Sequence, residues 1–166
     1  DMFLIPQNTA ILNVEGWDLN VRYALPETAY GRFGFNFDGS YTSKFESQQS
    51  AASDVIQNTG IYYDRDPNWR LRANASLDWS YGDFGASWST RYFSGLVEDC
   101  LYPGEGLCSD DDRTIGGEPA ARNRLPATTY HDVQFRYALP WNGTVKLGAN
   151  NVFKKSAPYA QQPFAN

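Results

Sequence analysis

The stretch with the densest concentration of potential metal ligands is acidic and lies between residues 98 and 112. Six carboxylates fall there, including the consecutive Asp110, Asp111 and Asp112. Ca²⁺ takes about 6–8 oxygen ligands, many of them carboxylates. The spacing does not follow the EF-hand pattern, however, and an acidic surface loop is usually only solvated. We therefore expect a solvated loop and no cofactor, with a Ca²⁺ site at the three consecutive aspartates as the alternative.

The same stretch holds the two cysteines of the chain, Cys100 and Cys108. Their spacing matches neither a CxxC motif nor a metal finger. A short disulfide loop is the simplest interpretation, and it would place the chain in an oxidising compartment such as the periplasm or the cell surface. Two free thiols are the alternative.

The only histidine, His131, is followed by Asp132, and Asp–His pairs serve some hydrolases. Neighbouring residues on a strand point to opposite faces, so on a strand these two side chains cannot share a proton. The chain has no second histidine and no Gly-x-Ser-x-Gly motif. We expect that the protein is not an enzyme.

Composition excludes two further classes and favours a third. The net charge is -5 without a basic patch, so a nucleic-acid partner has no electrostatic support. Mean hydropathy is -0.54, and no apolar run approaches the roughly 18 residues of a transmembrane helix. Aromatic residues make up 16% of the chain, a share typical of the lipid-facing bands and girdles of membrane β-barrels.

Six segments alternate apolar and polar residues with a period of two, which predicts strands with one apolar and one polar face. They span residues 9–25, 31–45, 69–81, 84–96, 130–139 and 144–155, and the last alternates as far as Phe153. The clearest is 31–45, with Phe33, Phe35, Phe37, Tyr41 and Phe45 on the apolar parity and Lys44 on the polar one.

Short and long connections alternate along the chain. Residues 26–30, 82–83 and 140–143 form short turns, while 46–68 and 98–129 form long loops. Outer-membrane barrels have short periplasmic turns and long extracellular loops. A soluble barrel would turn its apolar face inward. We therefore predict an all-β fold, a transmembrane antiparallel β-barrel whose aromatic face meets lipid and whose polar face lines a lumen.

The number of predicted strands indicates a larger barrel. Single-chain bacterial barrels begin at about eight strands, and open sheet edges do not occur in the hydrocarbon region. We expect residues 1–166 to be a C-terminal portion of about six strands, with a final strand still to come after it.

Three segments resemble TonB-dependent outer-membrane receptors. They are residues 13–20 with the Leu-Pro turn after them, 125–136 and 145–155, and Leu147-Gly-Ala-Asn-Asn-Val-Phe153 is the most recognisable stretch. The resemblance runs through essentially the whole chain in the order of its strands. It implies a 22-stranded barrel with an N-terminal plug domain. Neither the plug nor the TonB-contacting box has a counterpart in the sequence.

The resemblance also implies a function. The protein would be an active-transport receptor of the bacterial outer membrane that imports siderophore-bound iron, cobalamin or an oligosaccharide with TonB-derived energy. Its partners would be outer-membrane lipid, its own plug, TonB through that plug, and the substrate. A passive porin-type channel and a soluble secreted β-sheet binding module are the alternatives. A plug upstream of Asp1 would favour the receptor, and partition into detergent would exclude the soluble module.

Eight charged residues fall on the polar parity and would line the lumen: Arg22, Arg70, Arg72, Arg91, Arg136, Asp18, Asp38 and Asp78. Because the two signs are interleaved, we expect a cross-strand network that satisfies the barrel interior. Anchoring of the plug or of an anionic substrate is the alternative.

Three tyrosines of the long loops are candidate substrate contacts, namely Tyr62, Tyr63 and Tyr102. Surface loops of the resembled family cover the substrate, and exposed aromatic rings are good ligand platforms. Trp69 is expected instead in the girdle at the membrane interface.

Overall fold

The computed structural model describes residues 10–63, 66–98, 114–115, 118–119 and 124–158. Its strands are β1 Ile11–Ala24, β2 Arg32–Gln48, β3 Ile56–Gln57, β4 Ile61–Tyr63, β5 Asp66–Pro67, β6 Leu71–Tyr81, β7 Phe84–Phe93, β8 Leu96–Glu98, β9 Thr114–Ile115, β10 Glu118–Pro119, β11 Arg124–Leu125, β12 Thr128–Ala138 and β13 Thr144–Ala149. Within these ranges no helix is long and apolar enough to cross a membrane.

The six long strands form one sheet. β1, β2, β6, β7, β12 and β13 are hydrogen-bonded in this order, and the short β3 pairs with β2 beside that path. Each long strand is antiparallel to its neighbour in the chain. The predicted all-β, antiparallel architecture is confirmed. These strands do not close into a barrel, because β1 and β13 are the two ends of the path.

The register of the strands separates the side chains into an apolar face and a polar face, since directly opposite residues point to the same side. One row of the apolar face crosses all six long strands through Tyr23, Phe35, Leu77, Trp88, Val133 and Ala149. A row of the polar face runs through Arg22, Asn36, Ser76, Ser89 and Asp132. The two faces that the alternation defines along each strand are therefore continuous across the sheet.

Apart from Gly31 and Gly85 at the short turns, the buried residues lie beside the long connections. Among the described residues they include Leu96 and Leu125, which are 6% and 7% exposed. Both belong to a second small sheet with the order β11-β8-β4-β5. In this sheet β4 and β8 are parallel, and the Val97 amide donates to the Gly60 carbonyl oxygen over 2.8 Å. The two long connections are therefore paired with each other over the end of the main sheet.

A β-bulge corrects the predicted faces at the end of β2. Glu15 lies opposite Lys44 and Gly16 opposite Thr42, so Ser43 is an extra residue on β2. One extra residue reverses the parity of the strand beyond it. Lys44 consequently joins the face of Glu15 and Trp17, and Phe45 joins the polar face; both predicted placements were wrong.

Beyond the bulge the outer surface is charged. Lys44 Nζ lies 3.3 Å from a Glu46 carboxylate oxygen and 3.7 Å from one of Glu15. The hydrogen bond and charge of Glu46, and then the charge of Glu15, raise the pKa of Lys44. The bulge thus marks the limit of the apolar band on this side of the sheet.

The prediction of a strand over residues 144–155 was wrong beyond Ala149. Asn151 and Lys154 have φ angles of 49° and 52°. The Asn151 side chain accepts from the Lys155 amide at 2.8 Å and donates to the Lys155 carbonyl at 2.9 Å. Asparagine side chains that bond to nearby backbone compete with the strand ladder. The turn still returns Phe153 to the apolar face, 6.0 Å from Trp88 between ring centroids.

Candidate functional site

An open cavity of about 660 Å³ lies on the polar face, at the end of the sheet that carries the long connections. Four aromatic rings line it, those of Tyr62, Trp69, Phe93 and Tyr130. This volume falls in the range of about 300–1,000 Å³ of small-molecule sites. We call this cavity the aromatic pocket.

Strands β7 and β12 supply its floor. Phe93 lies opposite Thr128, and Arg91 lies opposite Tyr130, so these side chains share the polar face. The Arg91 guanidinium carbon is 5.5 Å from the centroid of the Tyr130 ring, within the range of a cation–π contact. The Phe93 and Tyr130 rings are 6.2 Å apart and nearly perpendicular.

Trp69 belongs to this pocket and not to an interfacial girdle, so that prediction was wrong. Its ring centroid is 5.0 Å from that of Phe93. The strand β6 begins two residues later, at Leu71, so the alternation of that strand does not govern Trp69. The preceding residue instead anchors the chain, because the Asn68 amide donates to the Ile61 carbonyl at 3.0 Å.

The first long connection supplies one wall of the aromatic pocket. Tyr62 lies in β4, opposite Pro67 of β5 and Glu98 of β8. The structure therefore brings one of the three candidate substrate contacts to the pocket. Tyr102 and the side chain of Tyr63 lie outside the described residues.

Three polar side chains of the aromatic pocket have protein partners. Arg91 Nη2 is 3.2 Å from Asp132 Oδ2. The Ser94 hydroxyl accepts the Leu71 amide at 3.1 Å, and the Thr128 hydroxyl donates to the Pro126 carbonyl at 3.3 Å. Apart from these groups, the lining offers a ligand chiefly aromatic rings, two of which carry a tyrosine hydroxyl.

The aspartates on the polar face bind neutral side chains. Asp18 accepts a hydrogen bond from the Ser40 hydroxyl at 2.5 Å. Asp78 accepts one from the side-chain amide of Asn36 at 3.3 Å. Asp38 accepts one from the side-chain amide of Asn20. The register explains this, because it places asparagine or serine, and not arginine, beside each carboxylate. The expected network of interleaved charges is therefore largely replaced by charge–amide and charge–hydroxyl bonds.

The remaining predicted arginines are spread over the polar face and its end. Arg22 lies opposite Asn36, and Arg72 opposite Ser40. Arg70 precedes β6, where its carbonyl oxygen accepts the Thr42 amide at 2.8 Å.

Arg136 lies opposite Gly85 and Lys146, near the short turns. In the described part of the chain, Arg91 is the only one of the five predicted arginines with an ion pair.

His131 and Asp132 point to opposite faces. Trp88 Nε1 donates to His131 Nδ1 at 3.2 Å, and the Thr90 hydroxyl is 3.0 Å from the same nitrogen. Asp132 Oδ1 accepts the Asn151 amide on the other side, at 2.7 Å. The two residues therefore serve different networks and do not act as a pair.

Several predicted sites lie outside the described residues: Cys100, Cys108, Asp110, Asp111 and Asp112. Among the residues that are described, no group of three or more His, Cys, Asp and Glu side chains could hold a metal ion. The disulfide and the Ca²⁺ site remain predictions.

Sequence reasoning missed Phe93 and Tyr130 as pocket residues. Both are aromatic residues on the polar parity of their strands, at the ends nearest the long connections. An aromatic side chain on the wet face of a strand end was the signal that could have identified them.

Comparison with protein families gives a match over most of the chain. A family model described as TonB dependent receptor-like, beta-barrel matches residues 4–152, which include all six long strands. None of the curated proteins and none of the solved structures compared matches the chain.

Proposed function

The chain belongs to the family of TonB-dependent-receptor-like β-barrels, and we propose on this premise that it is part of an active-transport receptor. The family consists of outer-membrane barrels. The receptor would import a scarce nutrient, either siderophore-bound iron, cobalamin or an oligosaccharide. TonB would supply the energy through a plug domain, and residues 1–166 would be a C-terminal portion of the barrel.

The two-faced sheet supports a membrane location. Large apolar side chains are exposed across one face, with Trp17 at 77% and Leu147 at 73%. The bilayer core would cover such a face, at a gain of about 25 cal/mol per Å² of apolar surface removed from water. The polar face then lines the interior. Further strands of the barrel would pair with the open edges of β1 and β13.

The observation that carries the receptor proposal is the aromatic pocket. It lies on the polar face at the end of the long connections, where a ligand from the cell exterior would arrive first. Its walls come from both long connections and from strands β7 and β12. A general diffusion channel has no need of such a ring-lined pocket at its mouth.

Transport and conductance of the full-length protein test this proposal. Cells that express it should take up a ferric siderophore, cobalamin or an oligosaccharide when TonB is present and not when TonB is deleted. The variant Trp69→Ala should reduce this uptake, because it removes a ring from the pocket. Trp141→Ala is the matched control, since Trp141 is an exposed residue of a short turn.

Reconstitution in planar lipid bilayers separates the receptor from a porin-type channel. We expect no steady conductance from a plugged receptor, whereas a porin would conduct continuously. Steady conductance together with uptake that does not require TonB would contradict the receptor proposal. Recovery of the full-length protein in the aqueous phase after detergent partition would contradict the membrane location.

A further inference from the structure

We propose that Asp132 determines the specificity of the aromatic pocket: it cancels the charge of Arg91, so that the site takes an uncharged ligand with a ring that packs on aromatic side chains. This inference rests on the proposed function, in which the pocket holds the imported nutrient. The ring could be a sugar, which packs on aromatic side chains through its C–H groups, or an aromatic group, which packs on them through its π face.

Arg91 is the charged residue on the described lining of the pocket. Its Nη2 atom lies 3.2 Å from Asp132 Oδ2, and its guanidinium lies over Tyr130. The Arg91 side chain is 47% exposed and that of Asp132 is 22% exposed. The Arg91 side chain thus reaches the pocket. The half-buried Asp132 carboxylate, which is not part of the described lining, holds the guanidinium in place.

Asp132 is itself fixed from a second direction. Its Oδ1 atom accepts the Asn151 amide at 2.7 Å. The turn that begins at Asn151 leads to Ala157 and Pro158, which line the same pocket. One carboxylate therefore positions both the arginine and a neighbouring segment of the wall, and a ligand cannot easily displace it.

The charge balance decides which ligand fits. An anion that approached Arg91 would meet the carboxylate of Asp132, and a cation would meet the guanidinium of Arg91. The hydroxyls of Ser94 and Thr128 already have partners in the protein. Contact with the aromatic rings that line the pocket remains the principal interaction, and it suits an uncharged ring.

Binding of two matched probes to the full-length receptor in detergent tests the inference. Para-nitrophenyl glucopyranoside and para-nitrophenyl glucuronide differ only in a hydroxymethyl group and a carboxylate. We expect the wild type to bind the glucoside roughly tenfold more tightly, which corresponds to about 1.4 kcal/mol. Methyl glucopyranoside and benzyl alcohol then show whether the sugar or the aromatic ring is bound.

Three variants locate the effect. Asp132→Asn keeps an oxygen that can accept the Asn151 amide but removes the charge, and it should raise glucuronide affinity about tenfold. Adding Arg91→Met should abolish that gain. Asp78→Asn is the control, because Asp78 lies on the polar face among Asn36 and Ser76 and should leave the ratio of the two affinities unchanged.

Equal or tighter wild-type binding of the glucuronide would overturn the inference, as would an unchanged ratio in Asp132→Asn or no binding of either probe. If Asp132→Asn does not assemble, Arg91→Met alone should lower glucuronide affinity further and spare the glucoside. The failures are distinguishable: TonB-dependent import of an anionic nutrient would refute this inference alone, whereas TonB-independent conductance would refute the proposed function.

Discussion

Gly31 shows how single residues decide where this sheet turns. It has a φ angle of 107°, a conformation open chiefly to glycine. A Cβ atom there would clash with the carbonyl oxygen of Ser80 on the neighbouring strand. Backbone hydrogen bonds with Thr28, both of 3.1 Å, hold the turn closed. Conformation and space therefore both require glycine at this position.

We predict that Gly31→Ala lowers the free energy of unfolding by about 1–3 kcal/mol, since strained backbone costs that much per residue. Gly82→Asn is the control: Gly82 has a φ angle of 53° and no atom near its missing Cβ, and asparagine tolerates this region. Urea titration of the full-length receptor in detergent, followed by heat-modifiable gel mobility, measures the difference. Equal midpoints for the two variants would contradict the prediction.

At the scale of elements, the bulge at Ser43 separates two kinds of surface on one strand. Below it, β2 places aromatic residues on the apolar face; beyond it, Lys44 and Glu46 occupy that side. The extra residue lets the pairing continue from Gly16 to Glu15 while the sequence pattern of β2 shifts by one. The bulge thus adapts one strand to two environments.

We predict that deletion of Ser43 is tolerated, because the remaining residues can pair regularly with Glu15 and Gly16 in the same register. The loss is one hydrogen bond, from the Ser43 hydroxyl to the Glu15 carbonyl at 3.1 Å, or about 1 kcal/mol.

Deletion of Asn36 is the matched comparison for the Ser43 variant. Asn36 belongs to the polar face of the same strand, at the level of the apolar band. Its deletion would exchange the two faces of the rest of that strand. The fraction of protein that assembles in the outer membrane measures both variants. Assembly of the Asn36 variant at the level of the Ser43 variant would refute this account of the faces.

At the scale of the whole molecule, the sheet has one face for each environment. The apolar face lacks a covering layer among the described residues, and its large side chains are exposed. The polar face carries the aromatic pocket, which the two long connections cover. Lipid on one side and a watery interior on the other would satisfy both faces.

A pair of adjacent substitutions tests this division. Ala75 lies opposite Phe37 and Thr90 on the apolar face, and Ser76 lies opposite Asn36 and Ser89 on the polar face. We predict that Ala75→Arg lowers the free energy of unfolding in lipid by about 2–4 kcal/mol, the usual effect of arginine near the bilayer midplane. Ser76→Arg should have a much smaller effect. Urea titrations in lipid vesicles measure both, and equal losses would contradict the proposed membrane orientation.

The sequence by itself determined the strands and most of their faces, because a period of two is a local property that each strand carries in its own residues. It also indicated the family, through the residues around 147–153. The alternation failed where the local pattern was overridden: at the Ser43 bulge by the partner strand, and after Ala149 by the hydrogen bonds of Asn151.

Only the tertiary structure decided the aromatic pocket and the bonds of Asp132. Tyr62, Trp69, Phe93 and Tyr130 come from separate elements, and the parallel pairing of β4 with β8 brings the first long connection beside the second. No local period encodes such contacts, because they depend on the register of distant strands. The chemistry of the site results from that register, which sets Arg91 beside Asp132 and among the aromatic rings.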